Sequence, residues 1–252
     1  MINIETLLYA LILTSLAGLS TTIGSLIAFL VKEPSKKFIS LIMGFSAGVM
    51  ILISFVELLN AGIEASTFLI GHIFFFFGMI LMLVIDIGIS HKYEFEDKEK
   101  KSNNKLEKTS LLVMLGIFIH NFPEGMATFV GTLKSVEMGI LLAVAIAIHN
   151  IPEGIAVAVP IYTSTKSSKK AFFWSFISGV SEPLGALIAG LVLFPFINDF
   201  VLGAVLAIVG GFMVYISLDE LLPASRYSGF EHLSIIGIII GMIVMALSLA
   251  LL

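Results

Sequence analysis

The sequence predicts an all-α integral membrane protein with eight transmembrane helices. Three observations carry that prediction. Apolar residues make up 58% of the 252-residue chain and charged residues only 13%, against about 25% charged in a soluble domain. The apolar residues fall in stretches that reach the ~20 residues a helix needs to cross the hydrocarbon core. Lysines and arginines gather in alternate connections, the signature of the cytoplasmic side.

The elements follow in chain order. The first span is placed at 5–31. The opening MINIETLLYA has no basic region ahead of its apolar run, so this span reads as mature helix and not as a cleaved leader. The second, 38–61, carries Gly44 and Gly48 four residues apart, a spacing that lets helices approach closely in lipid. The third is 67–90, with the bulky run Phe74–Phe77. Residues 91–108 (HKYEFEDKEKKSNNKLEK) mix charges and lack an apolar period, so they read as a solvated cytoplasmic loop. The remaining spans are 109–133, 137–162, 170–195, 199–222 and 232–252, joined by short connections. Trp174 suits an interfacial anchor near a helix end. The whole of 1–252 reads as one transmembrane unit.

Orientation comes from the basic residues. With the N-terminus outside, the inner connections hold Lys32, Lys36 and Lys37, then six lysines from Lys92 to Lys108, then Lys166, Lys169 and Lys170, then Arg226. The outer connections hold only Lys134. An odd number of spans breaks this bias, so eight spans and two outside termini are expected, in a multi-pass protein of the cell membrane. There is no basic stripe for nucleic acid. Cysteine is absent, which removes disulfides and thiolate metal ligands.

One hexapeptide pattern occurs twice. His120-Asn121-Phe122-Pro123-Glu124-Gly125 recurs as His149-Asn150-Ile151-Pro152-Glu153-Gly154. Within each copy the His and Glu are four residues apart, on one helix face. The Pro between them cannot donate to the helix ladder and frees a carbonyl, so a helix break is expected at each Pro-Glu-Gly. Counted along their spans at 1.5 Å per residue, both copies reach the middle of the bilayer. Glu182, before Pro183, and Met50, in Gly48-Val49-Met50, reach the same depth. No Lys or Arg falls there to neutralise Glu124, Glu153 and Glu182. A lone charge at that depth costs ~2.5–3.5 kcal/mol on insertion scales, so the carboxylates call for a bound cation or protons. Imidazoles beside them favour a transition-metal ion over Mg²⁺ or Ca²⁺. Nearer the faces, Glu57 at one end of the second span and Asp219 with Glu220 at the end of the seventh are candidates for an ion path.

The doubled H-N-x-P-E-G, the S-E-P-L-G-A of the sixth span and the G-F-S-A-G-V-M of the second resemble the ZIP family of divalent-metal transporters, in particular its short prokaryotic, GufA-like branch. The resemblance covers Thr6 to Leu252. It implies a 3+2+3 helix arrangement with inverted repeats, and a binuclear site between the fourth and fifth helices. One metal would use His120, Glu124 and Glu153, with His149 and Met50. The second would use Asn121, Asn150, Glu182 and a bridging glutamate. The resemblance further implies uptake of Zn²⁺, or of Fe²⁺, Mn²⁺, Co²⁺ or Cd²⁺, with two ions per protomer, homodimers, and elevator-like or rocking movement. The long loop holds only His91, unlike the His-rich loops of many members, which argues against a chelating antenna. The alternative is a membrane-embedded metallohydrolase using a metal-bound water. It lacks an H-E-x-x-H or G-x-S-x-G element.

Overall fold

The computed structural model describes residues 4–31, 35–89, 118, 121–193, 196, 198–227 and 229–251. The expected loop 91–108 and His120 lie outside the described residues. The helices are α1 (Ile4–Val31), α2 (Lys36–Glu64), α3 (Phe68–Ile89), α4 (residues 121–134), α5 (Val136–Thr165), α6 (Ser168–Leu193), α7 (Asp199–Arg226) and α8 (Glu231–Leu251). Among the described residues, every one of these except α4 is long and apolar enough to cross a membrane. α4 is the described part of the expected span 109–133.

Local chemistry sets the ends. Ser135 opens α5 by accepting the Met138 amide at 3.1 Å, and Asn198 opens α7 by accepting that of Val201 at 2.9 Å; both are N-caps that satisfy an orphan donor. α5 stops at Lys166, whose φ of 54° is left-handed. That conformation costs an L-residue roughly 1–2 kcal/mol and glycine almost nothing. Lys166→Gly is therefore expected to raise stability by about 1 kcal/mol, read as a higher unfolding temperature in detergent.

The helices sort into two bundles. α1 packs on α5 and α6, and α4 on α5 and α6, forming one body. α2 packs on α8 and α3 on α7, with α2 crossing α7, forming the other. Glycines set the closeness. A Cβ placed on Gly24 would overlap the Ile151 carbonyl oxygen, and one on Gly154 that of Thr21, so α1 and α5 meet backbone to backbone. Gly48 meets Ile238 and Gly78 meets Ile208 in the same way within the second bundle. Among the described residues every such glycine contact stays inside one bundle. The seam between the bundles is side-chain packing, chiefly α2 against α5. The outer flanks of α3 and α8 expose Phe76, Phe77, Ile80, Ile239 and Ile243, an apolar girdle that suits lipid and no aqueous surface.

The expected helix break does not occur at the second Pro-Glu-Gly. α5 runs unbroken through Pro152, and α6 through Pro183; Pro123 lies in the first described turn of α4, and residues 119–120 lie outside the described ones. A missing amide removes one ladder bond, and the freed carbonyl finds another neighbour: that of Gly179, left by Pro183, lies against the backbone of Gly18. The irregular turns fall instead in α2 and α7, as π-helical turns at Ser54–Leu58 and Ser217–Leu221.

Candidate metal centre

The second copy of the hexapeptide puts His149, Asn150 and Glu153 on α5. The first puts Asn121 and Glu124 on α4, and α6 contributes Glu182. Five of these six are fully buried and Glu153 is 1% exposed. Each Lys and Arg of the described helices lies in a first or last turn, so among the described residues no side-chain cation reaches them.

Glu124, His149 and Glu153 converge: one ligand atom from each lies within 4.8 Å of the other two. The α-helical spacing of His149 and Glu153 accounts for their shared face. Glu124 Oε1 is 3.1 Å from His149 Nε2. On the other side of the ring, Nδ1 is 3.1 Å from the Ala145 carbonyl oxygen. A carbonyl only accepts, so Nδ1 carries a proton and donates it, which leaves Nε2 aimed at the carboxylate. An unprotonated Nε2 and a carboxylate are both acceptors. Their contact requires a proton or a metal ion between them. Ligand atoms ~2.0 Å from a tetrahedral ion stand about 3.3 Å apart, so the observed spacing needs little adjustment to take one.

Further acceptors face the same interior. Glu124 Oε2, Glu182 Oε2 and Asn150 Oδ1 are buried without a hydrogen-bond partner among the described residues. Glu182 is close enough to Glu124 and Glu153 for their charges to interact. Asn150 holds this side of the cluster in place: its Nδ2 donates to Glu182 Oε1 and to the Ala17 carbonyl at 3.0 Å, tying α5 to α6 and α1 at once. Asn121 Nδ2 reaches the Ser178 carbonyl on α6 at 3.5 Å. Asn150→Ala leaves Glu182 Oε1 without this donor, at about 1–3 kcal/mol, while the Ala17 carbonyl keeps the Ser20 hydroxyl. It is expected to lower the unfolding temperature, and Asn150→Asp, which adds a charge beside Glu182, to lower it further.

The glycine ending each copy has a tertiary reason. A Cβ on Gly125 would overlap the Glu182 carbonyl oxygen, as one on Gly154 would that of Thr21. Each motif therefore carries its own close approach, one to α6 and one to α1, next to its glutamate. Nothing in the sequence alone assigns those partners.

The other candidates fall around the cluster. Met50 is fully buried on α2. Ser46, one turn earlier on the same face, donates to the His149 carbonyl at 3.4 Å, so this face of α2 meets α5 at the motif. Glu57 lines a cavity of about 430 Å³ with Asn60, Glu64, Lys134 and Glu137, between the end of α2 and the α4–α5 turn. Glu64 and Lys134 pair across it at 3.7 Å. Asp219 is exposed and Glu220 half-buried in the π-turn of α7. Glu220 is near enough to Glu153 for their charges to interact. The two acidic stretches lie at opposite ends of the fold. α2 and α7 are antiparallel, with Ser40 bonded to the Ser225 carbonyl at one end and Gly62 against Ala207 at the other.

One signal in the sequence passed unread. Gly48–Leu59 (GVMILISFVELL) and Gly211–Leu222 (GFMVYISLDELL) agree at seven of twelve positions, including Met50/Met213, Ser54/Ser217 and Glu57/Glu220. Aligning the second span with the seventh would have found it.

The family model described as ZIP Zinc transporter matches residues 89–249. The chain is 49% identical to a protein named zinc transporter ZupT from Streptococcus mutans serotype c, over 96% of this chain and 97% of that one. It is 50% identical to a zinc transporter ZupT of Chlorobium luteolum, again over 96% and 97%. It is 45% identical to one of Clostridium perfringens, over 99% and 98%.

Proposed function

The chain belongs to the ZIP zinc transporter family, and from that premise we propose that it carries Zn²⁺ into the cytoplasm through the buried cluster between its two bundles. It is a multi-pass membrane transporter of divalent metal ions and not an enzyme. The observation that carries the mechanism is the convergence of Glu124, His149 and Glu153 within 4.8 Å in the protein interior. These three hold the ion, with His120 and Met50 completing its shell. Glu182, Asn150 through Oδ1, and Asn121 serve a second ion beside it. Fe²⁺, Mn²⁺, Co²⁺ and Cd²⁺ suit the same nitrogen and oxygen donors. Without thiolates the site is weak enough to release what it binds.

Transport requires the cluster to face each side in turn. The close glycine contacts lock α1, α4, α5 and α6 to one another, and likewise α2, α3, α7 and α8. Side chains alone fill the seam, so it is the surface on which one body can shift against the other. Both termini lie outside, Glu57 receives the ion there, and Asp219 and Glu220 pass it inward. The inverted 3+2+3 repeat and a homodimer in the bilayer belong to the same reading.

The test is uptake into proteoliposomes, read by an enclosed fluorescent chelator. Saturable zinc entry is expected from the wild type, and none above background from His149→Ala. Folded, metal-binding protein that passes no zinc would sink the transport reading.

A further inference from the structure

We propose that Ser54 and Ser217 are equivalent positioning residues, which hold the two π-turns and so aim Glu57 and Glu220 at the two mouths of the ion path. The inference rests on the transport reading above. π-turns are rare, appear mostly as single turns inside α-helices, and occur frequently at functional sites. Here two of them begin at the matched serine of an internal repeat, on antiparallel helices, each just past the middle of its helix and so on either side of the fold's midpoint. The bonding is the same in both. The Leu59 amide donates to the Ser54 carbonyl and that of Leu222 to the Ser217 carbonyl, each five residues back. Ser54 Oγ donates to the Met50 carbonyl at 2.6 Å and Ser217 Oγ to the Met213 carbonyl at 2.7 Å. Both serines are fully buried. A hydroxyl donating to the carbonyl four residues back draws on the acceptor the regular ladder would use, and bends the helix there. Other hydroxyl side chains of the chain make such bonds inside regular helix, Ser15 and Thr14 among them. The hydroxyl therefore stabilises a π-turn where the sequence around it already favours one, and the repeat supplies the same surroundings twice.

The consequence is directional. One residue more or fewer in a helix rotates everything beyond it by about 100°. Within the first π-turn and beyond it, Glu57, Asn60, Ala61 and Glu64 all line the cavity opposite Lys134 and Glu137. Within the second, Glu220 is the carboxylate that acts on Glu153. A helix without the extra residue would turn these groups off the path. A divalent ion sheds water toward such carboxylates as it enters and regains it as it leaves. The α2 turn thus governs capture and the α7 turn release.

The two roles separate in uptake kinetics. Ser54→Ala is expected to raise KM for zinc about threefold or more with kcat little changed, and Ser217→Ala to lower kcat by about as much with KM little changed. Thr at either position retains the hydroxyl and restores both values. A second readout needs no transport. The chain has no cysteine, so Asn60→Cys gives a single thiol in the cavity. Its labelling by a membrane-impermeant reagent is expected to slow about threefold or more when Ser54→Ala is added and to recover with Ser54→Thr. Unchanged labelling, or equal effects of the two Ala variants on KM and kcat, overturns the assignment. An Asn60→Cys protein that labels as expected, beside a wild type that moves no zinc, overturns the transport reading instead.

Discussion

Glu153→Ala is expected to abolish zinc uptake and, at the same time, to make the metal-free protein harder to unfold. The loss of uptake follows from removing one of three converging ligands, on the order of a hundredfold or more. The gain in stability follows from electrostatics. Glu124, Glu153 and Glu182 are buried together with no Lys or Arg among them, and like charges in a low dielectric repel strongly. Replacing buried ionic groups by apolar side chains of similar volume is often stabilising by about 1–4 kcal/mol, and the smaller Ala gives back part of that to the cavity it leaves. Metal reverses the order. Zinc at a hundred times its dissociation constant adds about 2.7 kcal/mol to the wild type and little to the variant. Thermal unfolding in detergent, with and without zinc, should show the two proteins exchanging rank. A variant less stable than wild type in both conditions would mean that Glu153 is held by a structural partner, and that the cluster was not built for a cation.

Gly154→Leu is expected to yield no monodisperse protein. The first added carbon already overlaps the Thr21 carbonyl oxygen, and backbone cannot rotate aside as a side chain can. Overpacking costs about 1–3 kcal/mol where side chains yield, and more where two helices must separate. Moving α5 off α1 also draws Glu153, the preceding residue, away from Glu124, and pulls Asn150 from the Ala17 carbonyl. Leu191→Gln is the contrast for site specificity: at 79% exposure on α6 it disturbs lipid contact and touches neither the seam nor the cluster. Size-exclusion chromatography after extraction compares them. A Gly154→Leu protein that elutes as wild type and takes up zinc would show that α1 and α5 are not in contact there.

The spans were legible because hydropathy is a property of single residues summed along the chain. Observed helix ends fall within a few residues of those expected, as at Phe68–Ile89 against 67–90. The convergence of Glu124, His149 and Glu153 was legible for a related reason. A doubled His and Glu at helical spacing, with no neutralising Lys or Arg nearby, has few explanations at the middle of a bilayer. The expectation of a helix break at Pro152 failed because one missing amide does not end a helix packed on its neighbours. The breaks at Ser54 and Ser217 were missed because serine bonded to its own helix looks, in sequence, like any other serine.

By itself the sequence determined that the chain lives in a membrane, where its apolar helices lie, and that its buried carboxylates call for a cation. Those follow from transfer of residues between water and lipid, which acts locally. Only the tertiary structure decided which helices travel together. That α1 joins α5 and α6, while α2 joins α7 and α8, depends on Gly18 meeting Gly179 and Gly44 meeting Ser234, residues more than 150 positions apart. In lipid no hydrophobic force selects such partners. Close packing between two particular surfaces does, and a surface exists only once the chain has folded.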